Sequence, residues 1–157
     1  MQNIGVVGAG AWGTALAQAL AQGGRDVLIW AREPEVVQSI NGTNENASFM
    51  PGVKLDEKVK ATDSISQLSA CDTLLIVTPA QHVRSTLESL KGDIAEGKPV
   101  VICAKGIELS TGLLMSQVAE EEVPKATIAI LTGPTFASEI ATGKPSAVTI
   151  AARDKDV

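Results

Sequence analysis

The stretch Gly8-Ala9-Gly10-Ala11-Trp12-Gly13 lies between an apolar run at residues 4–7 and a segment of helical spacing at residues 12–22. In such a strand-to-helix context Gly8 can make the tight turn, Gly10 leaves room for a pyrophosphate, and Gly13 lets the helix pack closely on the strand. The free N–H groups at the helix start would then face the phosphates. The stretch therefore predicts a dinucleotide-binding turn, and a plain tight turn is the alternative.

Beyond this turn, short runs rich in Val and Ile alternate with longer segments of helical spacing. This alternation predicts an α/β fold with a Rossmann-type, doubly wound and mostly parallel sheet, whose strands are buried on both faces. We expect strands at 4–7, 27–30, 59–61, 73–77, 100–103, 128–131 and 147–151, and helices at 12–22, 35–41, 82–90, 113–121 and 136–141. Four glycines are expected to end helices, namely Gly23, Gly42, Gly92 and Gly143.

The composition fits a single domain covering residues 1–157, because 45% hydrophobic residues can fill one core. The formal charge of -5, with no basic cluster, argues against nucleic-acid and membrane partners. Cys71 and Cys103 stand far apart, so we expect buried free thiols and no metal site. The apolar run at residues 4–22 lacks a basic start and is broken by glycines, which predicts a cytoplasmic protein rather than a secreted one.

Arg32 follows the expected second strand, where dinucleotide sites that prefer NAD carry an acidic residue for the ribose hydroxyls. A guanidinium can pair with a 2′-phosphate, so Arg32 favours NADP slightly over NAD. Glu33 lies one residue later and weakens this preference, and Arg32 as a solvated loop residue is the alternative.

Two segments follow expected strands at the carboxyl edge of the sheet, where ligands bind in open α/β folds. Pro79 lies in the segment 77–82 and is a candidate for the cofactor wall. His82 is the only histidine, and its interpretation as a packing or capping residue is preferred to one as a general acid. Lys105, beside Gly106, could polarise a carbonyl or bind a phosphate, or be an ordinary surface lysine.

A further strand-to-helix turn, Gly133-Pro134-Thr135, could bind an anion through free N–H groups, or could be a helix start capped by Thr135. Taken together, the order and spacing of these segments resemble the bacterial NAD(P)-dependent glycerol-3-phosphate dehydrogenases along almost the whole chain. The resemblance is carried by GAGAWGTALA at 8–17, NASFMPGVKL at 46–55, VTPAQHVR at 77–84, AKGIELSTG at 104–112 and LTGPTFASEIATGKPSAV at 131–148.

The resemblance implies reduction of dihydroxyacetone phosphate to sn-glycerol 3-phosphate, which feeds glycerophospholipid synthesis. It implies that Ala11, Trp12, Arg32 and Ala137 contact the cofactor. It also implies that Lys105 touches both cofactor and substrate, as the catalytic-site residue of this chain, and that Gly133 and Thr135 hold the substrate.

The family resemblance further implies a two-domain enzyme and a homodimer, with the proton-donating lysine on a helical domain that follows this region. We therefore expect the chain to bind cofactor and to have little turnover alone. Two alternatives stay open. One is a 3-hydroxyacid or 6-phosphogluconate type of dehydrogenase, and the other is a non-catalytic module that senses NAD(P)H.

Overall fold

The computed structural model describes residues 3–153, and a seven-stranded sheet lies at the centre of this part of the chain. The strands are β1 Asn3–Val7, β2 Asp26–Trp30, β3 Val59–Thr62, β4 Thr73–Ile76, β5 Pro99–Ile102, β6 Thr127–Thr132 and β7 Thr149–Ala152. The α-helices are α1 Ala11–Gln22, α2 Pro34–Thr43, α3 Val83–Leu90, α4 Met115–Glu122 and α5 Ala137–Ala141. Two 3₁₀ helices, Ile65–Ala70 and Ala80–His82, complete the elements.

The strand order is β3-β2-β1-β4-β5-β6-β7, and every neighbouring pair is parallel except β6 with β7. The chain runs outward from β1 to β3 and then returns to place β4 on the other side of β1. This reversal makes the β1/β4 junction the topological switch point, where ligands bind in such sheets. The prediction of a Rossmann-type, doubly wound and mostly parallel sheet is confirmed.

Helices cover both faces of the sheet, which explains the continuous apolar runs. Val6 and Val7 point to opposite faces, yet both are fully buried. Val6 packs with the cluster that contains Leu16 and Ile40 from α1 and α2, whereas Val7 packs with the cluster that contains Leu87 from α3. A strand buried in this way needs apolar residues in succession rather than in alternation.

The last strand departs from that expectation. All residues of β7 are exposed, and the strand pairs antiparallel with β6 at the edge of the sheet. It begins at Thr149, two residues later than predicted. The prediction of burial on both faces is wrong for β7, because no helix covers this edge strand within the described residues.

One of the four expected helix stops, Gly42, is also wrong. Helix α2 runs through Gly42 to Thr43, and Asn44 ends it in the left-handed conformation with φ 49°. An asparagine tolerates this conformation, so no glycine is required there. Helix α3 ends at Leu90 with Lys91 as its C-cap, and Gly92 follows the cap directly, as expected.

Gly23 and Gly143 are confirmed as well, since Gly23 is the C-cap of α1, and Gly143, with φ 73°, follows the last turn of α5. Cys71 and Cys103 are buried free thiols, as expected. Within residues 3–153, no helix has both the length and the apolar character that a membrane crossing requires. The same residues contain no group of His, Cys, Asp and Glu placed to hold a metal ion.

Candidate dinucleotide site

A cleft of about 630 Å³ opens at the switch point between β1 and β4. The glycine turn forms one side of it, and the residues after β4 together with one face of α3 form the other. Its lining residues are Gly8, Ala9, Gly10, Ala11, Trp12, Gly13, Trp30, Arg32, Glu33, Phe49, Ile65, Val77, Thr78, Pro79, His82, Ser85, Thr86 and Ser89. The structure thus brings together Gly8, Gly10, Ala11, Trp12, Gly13, Arg32 and Pro79, seven of the residues predicted to bind cofactor.

The three glycines of the turn have different reasons to be glycine. Gly8 adopts φ 117°, and a Cβ there would lie 3.2 Å from the backbone of Val77. A Cβ on Gly13 would lie 1.9 Å from the carbonyl oxygen of Gly8, so any side chain would push α1 away from β1. Gly10 has no atom within 4 Å of such a Cβ, and it faces open space in the cleft. Gly8 and Gly13 therefore allow the turn to form, and Gly10 leaves room for a ligand beside it.

The N-terminus of α1 points its unpaired donors at this open space. Gly10 is the N-cap residue, and the first intrahelical bond runs from the N–H of Thr14 to the carbonyl of Gly10, at 2.9 Å. The N–H groups of Ala11, Trp12 and Gly13 precede that bond. No side chain caps the helix and no acidic residue lies in its first turn. This arrangement suits an anion, because the donors and the helix dipole act together.

Asn46 supports the glycine turn through buried hydrogen bonds, a role that the sequence did not predict. Its side chain is fully buried and donates from Nδ2 to the carbonyl of Ala9, at 2.8 Å, and to Oγ1 of Thr14, at 2.7 Å. Its Oδ1 accepts from the N–H of Phe49, at 3.1 Å, and Phe49 lines the cleft. The 46–50 loop is therefore anchored on the glycine turn. Its turn-like composition contained no signal of this buried contact.

Arg32 and Glu33 lie together at the end of β2, on the rim of the cleft. The Arg32 side chain is 81% exposed, and its Nη2 lies 3.3 Å from Oε1 of Glu33. An exposed pair of this kind contributes little to stability, and the guanidinium can exchange one partner for another at small cost. Arg32 is thus placed where a negatively charged group of a ligand could reach it. Such a group would compete with Glu33 for the guanidinium.

His82 lines the opposite wall with Pro79. It is exposed, and it occupies the N-cap position of α3 without a side-chain capping bond. The predicted place of His82 at a helix start is confirmed, but its exposed side chain makes no capping hydrogen bond within residues 3–153. Ser85 and Ser89 lie on the same wall, one helical turn apart. Their spacing of four was a visible signal of a shared polar face.

Lys105 does not line the cleft. It follows β5 at the same carboxyl edge of the sheet, and its side chain is exposed. Gly106 adopts φ 139°, and a Cβ there would lie 3.1 Å from the Cβ of Ala80, so this segment packs on the 3₁₀ helix that follows Pro79. Cys103, before it, is buried, and burial raises the pKa of its thiol to about 12. The thiol is neutral and serves packing.

Gly133, Thr135 and Ala137 follow β6 at this edge and also lie outside the cleft. Gly133 is closely packed, since a Cβ there would lie 2.5 Å from the carbonyl oxygen of Ala147. Helix α5 begins at Ala137 with Phe136 as N-cap, so the interpretation of Thr135 as a capping residue is wrong. The Thr135 hydroxyl is buried and has no hydrogen-bond partner within residues 3–153.

Comparison with known proteins agrees with this geometry. Residues 3–157 match the family model described as NAD-dependent glycerol-3-phosphate dehydrogenase N-terminus. The chain belongs to this family. It is 54% identical over 156 residues to the glycerol-3-phosphate dehydrogenase [NAD(P)+] of Parvibaculum lavamentivorans, covering 99% of the chain and 47% of that relative. The crystal structure of glycerol-3-phosphate dehydrogenase from Coxiella burnetii superposes with a TM-score of 0.90 at 28% identity, covering 99% of this chain and 48% of that one.

Membership in the glycerol-3-phosphate dehydrogenase family decides against the 3-hydroxyacid and 6-phosphogluconate types. More distant structures share the fold alone, as the pyrroline-5-carboxylate reductase of Coxiella burnetii does, with a TM-score of 0.74 at 18% identity over 99% of this chain and 52% of that one. The chain spans about half the length of the curated relatives it matches. As a member of an NAD(P)-dependent family it has NAD or NADP as its cofactor.

Proposed function

We propose that the chain holds NAD(P)(H) in the cleft at the β1/β4 junction and forms the cofactor half of an enzyme that interconverts dihydroxyacetone phosphate and sn-glycerol 3-phosphate. The observation that carries the proposal is the open space beside Gly10 at the N-terminus of α1. Free N–H groups of α1 face it, no side chain fills it, and it occurs in a member of this family. The relatives' names supply the substrate, and the wider role in phospholipid synthesis is part of the same proposal.

On this proposal, Gly8, Gly10, Ala11, Trp12 and Gly13 hold the pyrophosphate side of the dinucleotide. The α1 N-terminus contributes donors and partial positive charge, and Gly10 permits close approach. The nicotinamide ring, when bound, supplies or accepts the hydride. Pro79 forms part of the opposite wall, and Ala137 is assigned to the cofactor by family resemblance.

Lys105, Gly133 and Thr135 are proposed to face the substrate, and Lys105 is proposed to contact the bound cofactor as well. The exposed ammonium of Lys105 can donate to a carbonyl or phosphate oxygen and polarise it. The buried hydroxyl of Thr135 lacks a partner within residues 3–153, and a substrate oxygen would satisfy it. All three residues follow parallel strands at the edge on which the cleft opens.

We infer a slight preference for NADP, with NAD as the other candidate. Arg32 lies at the rim with 81% of its side chain exposed, so a 2′-phosphate could replace Glu33 as its partner. The cytoplasm as the site of action and a homodimer as the assembly of the longer protein are proposed from the family resemblance.

Titration of the chain with NADPH and NADH tests the cofactor half. Both tryptophans, Trp12 and Trp30, line the cleft, so quenching of intrinsic fluorescence reports occupancy. The Arg32→Asp variant should weaken NADPH selectively, by about 1.5–3 kcal/mol for one charge-assisted contact. Lys60→Asp on β3, which is exposed and outside the cleft, is the matched charge control. Unchanged affinity for both cofactors in Arg32→Asp would remove Arg32 from the site.

The substrate half is tested by amide chemical shifts, which register even millimolar binding. Dihydroxyacetone phosphate added to the NADPH complex should shift the amides of Gly106, Gly133 and Thr135, and unphosphorylated dihydroxyacetone should not. Binding of NADPH without any response to dihydroxyacetone phosphate would instead support a module that only senses the dinucleotide.

A further inference from the structure

The position of Lys105 is set by the backbone that carries it. Its exposed ammonium has no hydrogen bond or ion pair with any residue between 3 and 153. A long, unpartnered lysine is free to sample many rotamers, so only the path of residues 105–109 decides which space it can reach. A residue that fixes this segment therefore acts on Lys105.

Gln81 fixes the segment at two points. Its Nε2 donates to the carbonyl of Ile107, at 2.9 Å, and its Oε1 accepts from the N–H of Leu109, at 3.0 Å. One side-chain amide thus satisfies a donor and an acceptor of the 107–109 backbone, as a neighbouring strand would. Both bonds span more than 25 positions in the sequence, so no local preference produces them.

Glu108 holds the same segment from its interior side. Its side chain is only 7% exposed. Arg84 of α3 donates from Nε to Oε1 and from Nη2 to Oε2, each at 2.9 Å, and Thr111 Oγ1 donates to Oε2 at 2.6 Å. The hydrogen bonds from Arg84 and then from Thr111 hold the pKa of the Glu108 carboxyl below its usual range. Glu108 therefore stays ionised and anchored near neutral pH.

The residues that hold this segment lie on the elements that form one wall of the cleft, the 3₁₀ helix after Pro79 and α3. Gln81 lies between Ala80 and His82 in the 3₁₀ helix, and both Pro79 and His82 line the cleft. Gln81 itself does not line it. Gln81 thus joins the dinucleotide wall to the lysine segment, in addition to the Arg84–Glu108 contact, without lining the cleft itself.

We infer that Gln81 is a positioning residue, which ties the 105–109 segment to the cofactor wall and so holds Lys105 beside the bound dinucleotide. The inference rests on the proposed function, because it assigns Gln81 a role through Lys105. It adds a specific dependence: the contact of Lys105 with the cofactor requires the two hydrogen bonds of Gln81, whereas cofactor affinity does not.

The test compares Gln81→Met with Gln38→Met in the 157-residue chain. Methionine keeps the length of glutamine and removes both hydrogen bonds. Gln38 is an exposed glutamine of α2 outside the cleft. The rate at which trinitrobenzenesulfonate modifies Lys105 is measured by peptide mass spectrometry, with and without saturating NADPH, and Kd for NADPH is measured by fluorescence.

We expect NADPH to slow Lys105 modification about tenfold in the wild type and in Gln38→Met, and less than about twofold in Gln81→Met, because a loosened segment no longer holds the amine in place. The Kd for NADPH should stay within about twofold in all three proteins. The conservative Gln81→Glu variant keeps the acceptor for Leu109 and loses the donor, so its protection should be intermediate. Faster hydrogen exchange of the Leu109 amide in Gln81→Met verifies that the bond is gone.

Two results would overturn the inference, one in the Gln81→Met variant and the other in the wild type. Full protection in Gln81→Met, together with faster exchange at Leu109, would show that Lys105 is positioned without Gln81. NADPH binding without protection in the wild type would show that Lys105 does not meet the cofactor. That second result would refute its proposed role as well, whereas the first would leave the proposed function intact.

Discussion

A carboxylate at position 10 should weaken dinucleotide binding by about a hundredfold or more without unfolding the protein. Gly10 has φ -66° and ψ -179°, a conformation open to any residue, and no atom lies within 4 Å of an added Cβ. It is also the N-cap of α1, where aspartate is among the preferred residues and its charge suits the helix dipole. Gly10→Asp should therefore keep or slightly raise the free energy of unfolding.

The expected loss of affinity follows from electrostatics. The new carboxylate would occupy the space proposed for the pyrophosphate, within reach of the N–H groups of Trp12 and Gly13. At a separation of roughly 5 Å and an effective dielectric constant of about 20, two unit charges repel by about 3 kcal/mol. This corresponds to a loss in affinity on the order of a hundredfold. Displaced hydrogen bonds to a charged phosphate would add about 1.5–3 kcal/mol each.

The assay combines fluorescence titration, which measures affinity, with urea unfolding, which measures stability. Two further glycine variants serve as controls for stability. Gly13→Ala should lower stability by about 1–3 kcal/mol, because its Cβ would lie 1.9 Å from the Gly8 carbonyl oxygen. Gly42→Ala, inside α2 with open space around it, should raise stability by about 0.5–1 kcal/mol and leave affinity unchanged. Wild-type affinity for NADPH in Gly10→Asp would refute the placement of the pyrophosphate on this turn.

Two further predictions concern buried groups. Asn46→Ala should lower the free energy of unfolding by about 1–3 kcal/mol, since the Ala9 carbonyl loses its buried donor; an unchanged urea midpoint would contradict this. For Cys103, burial raises the pKa from 9.0 to about 12, so folding favours the neutral thiol. Its contribution is fully present below pH 9 and should fall by about 1.4 kcal/mol per pH unit between pH 9 and 12. Unfolding of the wild type and Cys103→Ala at pH 8 and 10.5 measures it, and parallel pH dependence in both would argue against a buried neutral thiol.

Much of the fold could be predicted because it depends on local patterns. The alternation of apolar runs with helical segments located all seven strands and the five α-helices, with bounds shifted by one or two residues. The errors have local causes as well. Asn44 replaced an expected glycine stop because its side chain tolerates φ 49°. The run at 147–151 resembled a buried strand, but exposure depends on what covers a strand, which its own sequence does not state.

The features of the candidate site likewise fall into those that depend on local sequence and those that depend on distant contacts. The glycine turn could be predicted from its residues alone, because the roles of Gly8 and Gly13 depend on backbone conformation and close approach over a few residues. The distant residues that support this turn and the lysine segment became visible only in the folded chain. Asn46 reaches Ala9 across 37 positions, and Gln81 reaches Ile107 across 26. Such contacts form only when the sheet brings separate loops to one edge, so no spacing within either segment could reveal them.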